Sequence, residues 1–473
     1  MSDRQQISTD TAEEFEAAVA ALAARVDGPV RTAGDAGYDE ERTGYQTYGN
    51  HRPAVVVGAT GPQDVRAAVE FGAAHGLPVG VQGTGHAPTL PAEGGVLIST
   101  RRMAEVKVDP VARTAWVAAG AVWRQVVEQT APHGLAPLNG SAPGVGVVSY
   151  TLGGGLGLLA RRYGYAADHV RSIDVVTADG QLRHVTADSD PDLFWALRGG
   201  RENFGIVTGL EFGLVPVAEL YGGGLFLDGE LAVEALRVYR RWTETVPEEM
   251  TSSIAFVPFP DVPVLPAPLR GRYLVHIRIA YLGDAGRGSE LVAPLREIGP
   301  VVLDGLRVMP YAESGSIHAE PPHPAPYVGT NVLLRGLDDE LCREVLELTG
   351  PAAEVTSIVE IRHLGGALAA PPAVANSVGH RGAAYLLGVL NKVGPQDPVE
   401  VLRAAQARLV AAAEPQAQGK MLNFLNGGDA TPERVRLSYE VKDYGRLQKL
   451  KAAYDPANLF RLGHNIPPVG ARS

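Results

Sequence analysis

The stretch Val81-Gln82-Gly83-Thr84-Gly85-His86 lies between two apolar runs that have the composition of β-strands. Glycines reach backbone angles that other residues avoid, so the successive N–H groups of such a loop can converge on an anion such as a pyrophosphate. The imidazole of His86, directly behind the loop, can reach the rest of the same bound molecule. The stretch therefore predicts an anion-binding turn followed at once by a nucleophilic side chain.

The composition is that of an ordinary globular protein with an excess of acidic residues. The 473 residues exceed what one core holds comfortably, so we expect two domains. The net charge of −11 argues against a nucleic-acid partner, because phosphate binding needs clustered Lys and Arg. No apolar run approaches the roughly 18 residues of a membrane span, and the polar first residues lack the apolar core of a signal peptide. The single cysteine, Cys342, allows no intramolecular disulfide. These features predict a cytoplasmic protein without a nucleic-acid or membrane partner.

The residues around the loop predict a mixture of strands and helices. Residues 54–82 predict a strand, a helix opened by Pro62 and a second strand. The pattern Thr11-Ala12-Glu13-Glu14 is typical of a capping box and predicts the start of the first helix. The composition changes near residue 216, where Pro216 and the run Gly222-Gly223-Gly224 mark a candidate domain boundary. A second region follows, with helices predicted near 230–245, 338–349 and 397–413. The predicted fold class is α+β.

Further motifs follow the loop in a fixed order. They are Leu152-Gly153-Gly154-Gly155-Leu156-Gly157, Arg162-Tyr163-Gly164, Asp192-Leu193-Phe194-Trp195-Ala196-Leu197-Arg198-Gly199-Gly200, Asn203-Phe204-Gly205-Ile206-Val207-Thr208, Tyr454-Asp455-Pro456-Ala457-Asn458-Leu459-Phe460 and Asn465-Ile466-Pro467-Pro468. This series strongly resembles the FAD-linked oxidases of the vanillyl-alcohol-oxidase (PCMH) type, in the bacterial form of their berberine-bridge-enzyme-like branch. The resemblance runs from about residue 38 to the C-terminus and becomes weaker between about 220 and 355.

The resemblance implies a domain organisation. Residues 1–217 would form a PCMH-type FAD-binding domain with its core at about 48–217. Residues 218–415 would form an α/β substrate-binding domain with a sheet covered by helices. Residues 416–473 would form a berberine-bridge-like segment that returns to the FAD-binding domain.

The resemblance also implies FAD, bound covalently through His86 alone. In the family, the histidine at this position bonds to the 8α-methyl of the flavin. Gln82 stands where the family usually carries arginine, which leaves more of the anion binding to the backbone. Ala142 stands where many relatives carry a second attachment point, a cysteine. The residues implied to bind the cofactor are Val81, Gln82, Gly83, Thr84, Gly85, His86, Ser141, Gly146, Gly153, Gly154, Gly155, Gly157, Gly205, Ile206, Val207 and Asn465.

Relatives carry a catalytic tyrosine in the segment that matches residues 437–444 here. Tyr439 matches it best and Tyr444 is the second candidate, although either could instead pack a domain interface. A free tyrosine has a pKa of about 10, which must be lowered for the residue to act as a base near neutrality. The segments matching the family's substrate domain contribute His363, His380 and Arg381.

No metal site is predicted. His318, Glu320 and His323 stand close together in sequence, but Pro321 and Pro322 prevent them from sharing a helical face.

The implied activity is that of an FAD-dependent oxidase. It would move a hydride from a C–H beside O or N of a small secondary-metabolite or sugar-like substrate to flavin N5, while a base takes the O–H or N–H proton. Dioxygen would then accept the electrons. The alternative is a non-redox cyclase or isomerase of natural-product biosynthesis that retains FAD. A flavin-binding protein without catalysis fits less well, because the segment that would carry the base is present.

Overall fold

The computed structural model describes residues 2–87 and 93–470, and it confirms the α+β class. The strands of this part of the chain form three sheets. The strands are β1 Val30–Arg31, β2 Val55–Gly58, β3 Val79–Gln82, β4 Val96–Ser99, β5 Val106–Asp109, β6 Thr114–Ala118, β7 Val170–Val176, β8 Leu182–Val185, β9 Ile206–Gly213, β10 Glu219–Asp228, β11 Met250–Pro258, β12 Tyr273–Tyr281, β13 Val301–Asp304, β14 Arg307–Pro310, β15 Tyr327–Leu334, β16 Ile358–His363, β17 Tyr385–Lys392 and β18 Ala417–Gly419. The α-helices are α1 Ser2–Ala23, α2 Tyr38–Arg42, α3 Pro62–Ala74, α4 Trp123–Thr130, α5 Val147–Leu152, α6 Ala160–Tyr163, α7 Pro191–Gly200, α8 Ala232–Thr243, α9 Ala285–Arg296, α10 Asp339–Thr349, α11 Val399–Ala413, α12 Pro432–Arg436 and α13 Val441–Tyr454.

The first sheet has the order β1-β2-β4-β3 and positions the glycine loop. β2, β4 and β3 are parallel, and all four residues of β2 are buried. Such continuous burial is typical of parallel strands that are covered on both faces. α3 packs on this sheet and begins with Pro62, as the sequence predicts. The loop 83–86 therefore leaves β3 at the end of a rigid, buried strand.

The second sheet is antiparallel, with the order β5-β6-β9-β7-β8. Its core contains Trp123 of α4 and Phe194 of α7. Residues from the end of the chain pack into the same core, among them Val435 of α12 and Leu447 of α13. The C-terminal segment thus lies against the first half of the chain, where its hydrophobic side chains are buried.

The third sheet contains β10 to β18 and has two chemically different faces. Ile277 and Ile361 lie on the face that packs against α8, α9, α10 and α11. Because side chains alternate along a strand, Arg278 and Arg362 lie on the other face, where Glu360 pairs with both of them. The charged face therefore turns away from the helices.

Two local predictions were wrong. The first helix begins at Ser2 rather than at the capping pattern around Thr11. The run Gly222-Gly223-Gly224 lies inside β10 rather than at a boundary. At Gly223 the backbone has φ +143, and a Cβ atom would be 2.2 Å from the carbonyl oxygen of Gly305. The glycine is thus explained by the close approach of a neighbouring segment, not by a linker.

Candidate active site

A cavity of about 300 Å³ lies beside the glycine loop. Its wall includes Tyr327 of β15, Arg362 of β16 and Leu390 of β17, so the charged side of the third sheet contributes to it. Most of the residues predicted to bind a cofactor line it, namely Val81, Gln82, Gly83, Thr84, Gly85, His86, Ser141, Gly146, Gly205 and Val207. The structure thus brings together residues from three separate stretches of the first half of the chain.

The loop is held in place by its neighbours, while its own amides stay unpaired. The carbonyl oxygens of Thr84 and Gly85 accept hydrogen bonds from Tyr45 and Gln46. Gly85 has φ +65, and a Cβ atom there would be 2.6 Å from the Cα of Gly44. Among the described residues, no acceptor binds the backbone N–H of positions 83 to 86. Four successive amides are therefore available to an anion in the cavity.

His86 has the environment of a neutral, oriented imidazole. Its ring stacks on Tyr45 with centroids 4.0 Å apart and planes 9° apart. Its Nδ1 lies 2.8 Å from Thr84 Oγ1, and its carbonyl oxygen accepts a hydrogen bond from the Tyr327 hydroxyl. Burial lowers the pKa of His86 to about 4. The ring is therefore uncharged at neutral pH and keeps a nitrogen lone pair.

Only one of the two possible attachment points carries a reactive side chain. Ala142 lines the cavity, but its methyl group cannot form a bond to a cofactor. Cys342 lies on α10 and packs against the helix-covered core of the third sheet. Burial raises the pKa of this thiol to about 11, so it is protonated as well as distant from the cavity lining.

Six predicted cofactor residues lie outside the described wall of the cavity, namely Gly153, Gly154, Gly155, Gly157, Ile206 and Asn465. The glycines serve close packing instead. A Cβ atom at Gly157 would be 2.1 Å from the carbonyl oxygen of Asn139, and one at Gly155 would be 2.6 Å from Ala166. Two leucines of the same segment do line the cavity: Leu152 precedes the glycines, and Leu156 lies between Gly155 and Gly157. The glycine-rich segment therefore supports the wall from behind, and contact with a cofactor stays a prediction for these positions.

The two tyrosines predicted as candidates for the base are core residues. Tyr439 is 5% exposed and its hydroxyl donates to the carbonyl oxygen of Gly199 at 2.9 Å. Burial raises the pKa of Tyr439 far above its ordinary value and also raises that of Tyr444. Neither ring lies on the described wall of the cavity. Both rings pack in the core and hold their protons tightly, so the geometry does not favour either as the base, and that role stays a prediction.

The predicted substrate residues His363, His380 and Arg381 make contacts between distant segments of the chain. His363 Nε2 lies 2.9 Å from Arg161 Nη1, and His363 borders a separate cavity of about 30 Å³, enough for a water molecule. His380 Nε2 lies 3.0 Å from the carbonyl oxygen of Leu437, and Arg381 pairs with Asp168 at 2.5 Å. The described wall of the large cavity includes none of the three, and their role in substrate binding stays a prediction.

Glu320 is a residue of the cavity that sequence reasoning does not assign to the site. It lines the cavity and accepts a hydrogen bond from Ser141. The next residue, Pro321, accepts one from the Tyr45 hydroxyl at 2.6 Å, and Tyr45 stacks on His86. In the sequence, Glu320 stands out only by its closeness to His318 and His323. Its link to His86 depends on a contact between distant parts of the chain, which no local pattern indicates.

The cavity wall also includes Arg201, Asn423 and Phe424, none of which the sequence singled out. Within residues 2–87 and 93–470 no cluster of His, Cys, Asp and Glu has the arrangement of a metal site. The helices of the described chain include none that is long and apolar enough to span a membrane.

Comparison with family models gives two matches. Residues 53–186 match an FAD binding domain, and residues 423–467 match the family described as berberine and berberine like. Among curated proteins, the chain is 27% identical to (R)-6-hydroxynicotine oxidase of Paenarthrobacter nicotinovorans, over 94% of this chain and 98% of that protein. It is 24% identical to chitooligosaccharide oxidase of Gibberella zeae, over 93% of this chain and 92% of that protein.

Solved structures show the same architecture. The crystal structure of 6-hydroxy-D-nicotine oxidase from Arthrobacter nicotinovorans aligns with a TM-score of 0.78 and 23% identity, over 93% of this chain and 98% of that chain. Xylooligosaccharide oxidase from Myceliophthora thermophila C1, in complex with xylobiose, aligns with a TM-score of 0.84 and 21% identity, over 96% of this chain and 100% of that chain.

Proposed function

We propose which reaction the chain catalyses in this cavity, starting from its family. The chain belongs to the FAD-linked oxidases with a PCMH-type FAD-binding domain and a berberine-bridge-like C-terminal segment. The chain is an FAD-dependent oxidoreductase. The proposed reaction removes a hydride from a C–H bond beside an oxygen or nitrogen of a small molecule, and dioxygen receives the two electrons as hydrogen peroxide. FAD, when bound, supplies the hydride acceptor, while the protein supplies position and electrostatics.

The observation that carries the proposal is the row of unpaired amides at positions 83 to 86 on the cavity wall. These four N–H groups, unpaired among the described residues, lie on the wall of the cavity, where one anionic ligand can accept from several of them at once. The pyrophosphate of FAD fits such a cradle, and the match of residues 53–186 to an FAD binding domain supports that identity.

We propose that His86 bonds covalently to the 8α carbon of the flavin and that this is the single covalent link. The neutral ring supports this role, since a protonated imidazole has no free lone pair. The new N–C bond would replace the N–H bond of the imidazole and one C–H bond of the 8α-methyl group. FAD would supply the acceptor for the two electrons and two protons released, and dioxygen would take them as hydrogen peroxide. Ala142 offers no second bond.

We propose Glu320 as the group that takes the substrate's O–H or N–H proton. Its carboxylate lines the cavity near His86, through the contacts of Tyr45 with both His86 and Pro321. The Ser141 hydroxyl donates to one carboxylate oxygen, which orients the group and leaves the other oxygen for substrate. Tyr327 is less suitable, because burial raises its pKa and its proton is held by the carbonyl oxygen of His86.

The substrate class follows from the cavity and its relatives. A cavity of about 300 Å³ that also holds part of a dinucleotide leaves room for a compact molecule. Relatives act on 6-hydroxynicotine and on chitooligosaccharides, which have a C–H beside nitrogen and oxygen respectively. We propose a small hydroxylated or amine-bearing molecule, such as a sugar or a secondary metabolite.

The decisive experiment mixes the purified yellow protein with candidate amines and sugars in the absence of oxygen. Loss of the flavin absorption band on mixing, and its return with hydrogen peroxide when oxygen is admitted, is the expected result. Turnover of a substrate with no loss of the band, even without oxygen, would instead favour the non-redox cyclase. A protein purified without any flavin, and unable to bind FAD afterwards, would contradict the proposal altogether.

A further inference from the structure

Arg201 is an unusual residue on the cavity wall. It directly follows α7 and begins a short 3₁₀ helix, and only 7% of its surface is exposed. Its φ is +54, a left-handed conformation that a residue with a Cβ atom rarely adopts. Such a backbone persists where surrounding structure enforces it, and it is most frequent at ligand-binding and active sites.

The guanidinium of Arg201 has donors without acceptors. Among the described residues, neither Nε nor Nη1 has a hydrogen-bond partner. The nearby carboxylate of Glu202 has its Oε2 3.5 Å from Nε, which gives electrostatic attraction without a hydrogen bond. An unsatisfied buried donor costs about 1–3 kcal/mol, and more when it is charged. A ligand of the cavity that offers acceptor oxygens would remove this penalty.

The position of Arg201 indicates which part of a ligand it meets. Glu202 accepts a hydrogen bond from the backbone N–H of His464 at 2.8 Å. Two residues earlier, Leu462 approaches the backbone of Gly80 in β3, the strand that leads into the loop. Arg201 therefore belongs to the side of the cavity formed by β3 and residues 462–464. A ligand with its reacting ring beside His86 would have its other half on the side of the cavity formed by β3 and residues 462–464.

A pyrophosphate in the cavity would be negatively charged, and a cation on the wall would balance that charge. Gln82 gives the loop no charge, and the arginines on the described wall are Arg201 and Arg362. Arg362 binds the carboxylate of Glu360 at 2.8 Å, which it shares with Arg278, so its Nε and Nη2 donors are already engaged. The attraction of Arg201 keeps the pKa of Glu202 far below its usual value, and a hydrogen bond from His464 adds to this effect despite burial. Of the two arginines on the described wall, Arg201 is therefore the one whose guanidinium still has unpaired hydrogen-bond donors.

We propose that Arg201 binds the pyrophosphate of FAD and supplies the positive charge that Gln82 does not supply at the loop. The planar fork of a guanidinium matches two phosphate oxygens at once, which a backbone cradle alone does not. This inference rests on the proposed function, because it requires FAD in this cavity.

The test uses His86→Ala protein, in which flavin binding is reversible, and compares it with the double variant that also carries Arg201→Gln. Glutamine keeps a Cβ atom and thus the same backbone strain, so the comparison isolates the charge. We expect FAD affinity to fall about 10–100-fold, the effect of losing a hydrogen bond to a charged group. Riboflavin, which has no phosphate, should bind both proteins within about twofold. ADP against adenosine, measured by calorimetry, should give the same contrast without a flavin ring. Arg201→Lys should recover part of the FAD affinity.

The matched control is Arg461→Gln, which removes the same charge from an exposed residue that hydrogen-bonds to Asn458. Its FAD affinity should stay within about twofold, and the thermal unfolding of every variant is recorded. Equal losses for FAD and riboflavin in the Arg201→Gln protein, or no loss for either, would overturn the inference. If the His86→Ala protein itself bound neither FAD nor ADP, the proposed function would fail before Arg201 was in question.

Discussion

Two pairs of tyrosines lie in different regions of the molecule and differ in the part of the structure that they stabilise. Tyr45 and Tyr327 surround His86, one through ring stacking and the other through a hydrogen bond to its carbonyl oxygen. Tyr439 and Tyr444 pack side by side in the core under the second sheet, with ring centroids 6.1 Å apart. Burial raises the pKa of all four.

The difference between the pairs lies in the partner of each hydroxyl, not in the chemistry of the ring. The hydroxyls of Tyr45 and Tyr327 fix the backbone on either side of the cavity, whereas that of Tyr439 fixes Gly199 inside the core. In neither region is a tyrosine prepared to lose a proton. The comparison therefore separates residues that position His86 from residues that stabilise the fold, and it supports the proposal that a carboxylate takes the proton.

The largest expected effect comes from the residue at the centre of the first pair. His86→Ala should abolish covalent attachment, because alanine has no nucleophile. The measurement is the flavin that stays with the protein after acid denaturation, followed by mass spectrometry of the digested chain. Wild-type protein should yield a flavin-bearing peptide that contains His86. The control Cys342→Ser should keep all of its flavin, and flavin found on Cys342 would disprove the single-link proposal.

The second prediction concerns Glu320. Glu320→Gln should slow flavin reduction by roughly 10²–10⁴-fold, the range for losing a positioned acid or base, while substrate affinity changes far less. Glutamine keeps the size of the side chain and its contact with Ser141 but accepts no proton. Stopped-flow reduction without oxygen measures the rate. Glu313→Gln is the control, since Glu313 pairs with Arg307 on the surface. Equal rates in the Glu320→Gln and wild-type proteins would remove Glu320 from the mechanism.

The third prediction contrasts the two tyrosine pairs directly. Tyr439→Phe should lower the free energy of unfolding by about 1–3 kcal/mol, because the buried carbonyl oxygen of Gly199 loses its donor. Flavin reduction should stay within about threefold of wild type. Tyr327→Phe should instead slow covalent attachment at His86, since the loop loses an anchor, with less effect on stability. Denaturant unfolding and the time course of flavin incorporation measure the two effects. A large loss of reduction rate in Tyr439→Phe would restore that residue as the base.

The sequence predicts the local conformation of a segment better than it predicts the segment's contacts with distant parts of the chain. The loop 81–86 was recognised because its glycines and histidine are adjacent in the chain. The packing role of Gly155 and Gly157 is not visible in the sequence, because the atoms that leave no room for a Cβ belong to Ala166 and Asn139. The core position of Tyr439 is not visible either, because whether a tyrosine faces a cavity or a core depends on distant packing. Glu320 reaches the site from the third sheet's domain, and only the folded chain brings it near His86.

The smallest expected effect is a pH dependence of stability that belongs to His86. Burial lowers its pKa to about 4 in the folded chain, against about 6.5 in the unfolded chain. Between these values the unfolded state binds more protons, so stability is lost as the pH falls through this window and is fully present above it. Between pH 7 and pH 6 the loss attributable to His86 is on the order of 1 kcal/mol. The measurement compares the unfolding of flavin-free wild-type protein, from riboflavin-starved cells, with that of His86→Ala at both pH values. The wild-type protein should lose more stability by about this amount. Parallel losses in the two proteins would mean that the ring is not desolvated as its contacts with Tyr45 and Thr84 imply, and the argument for a neutral nucleophile would lose its basis.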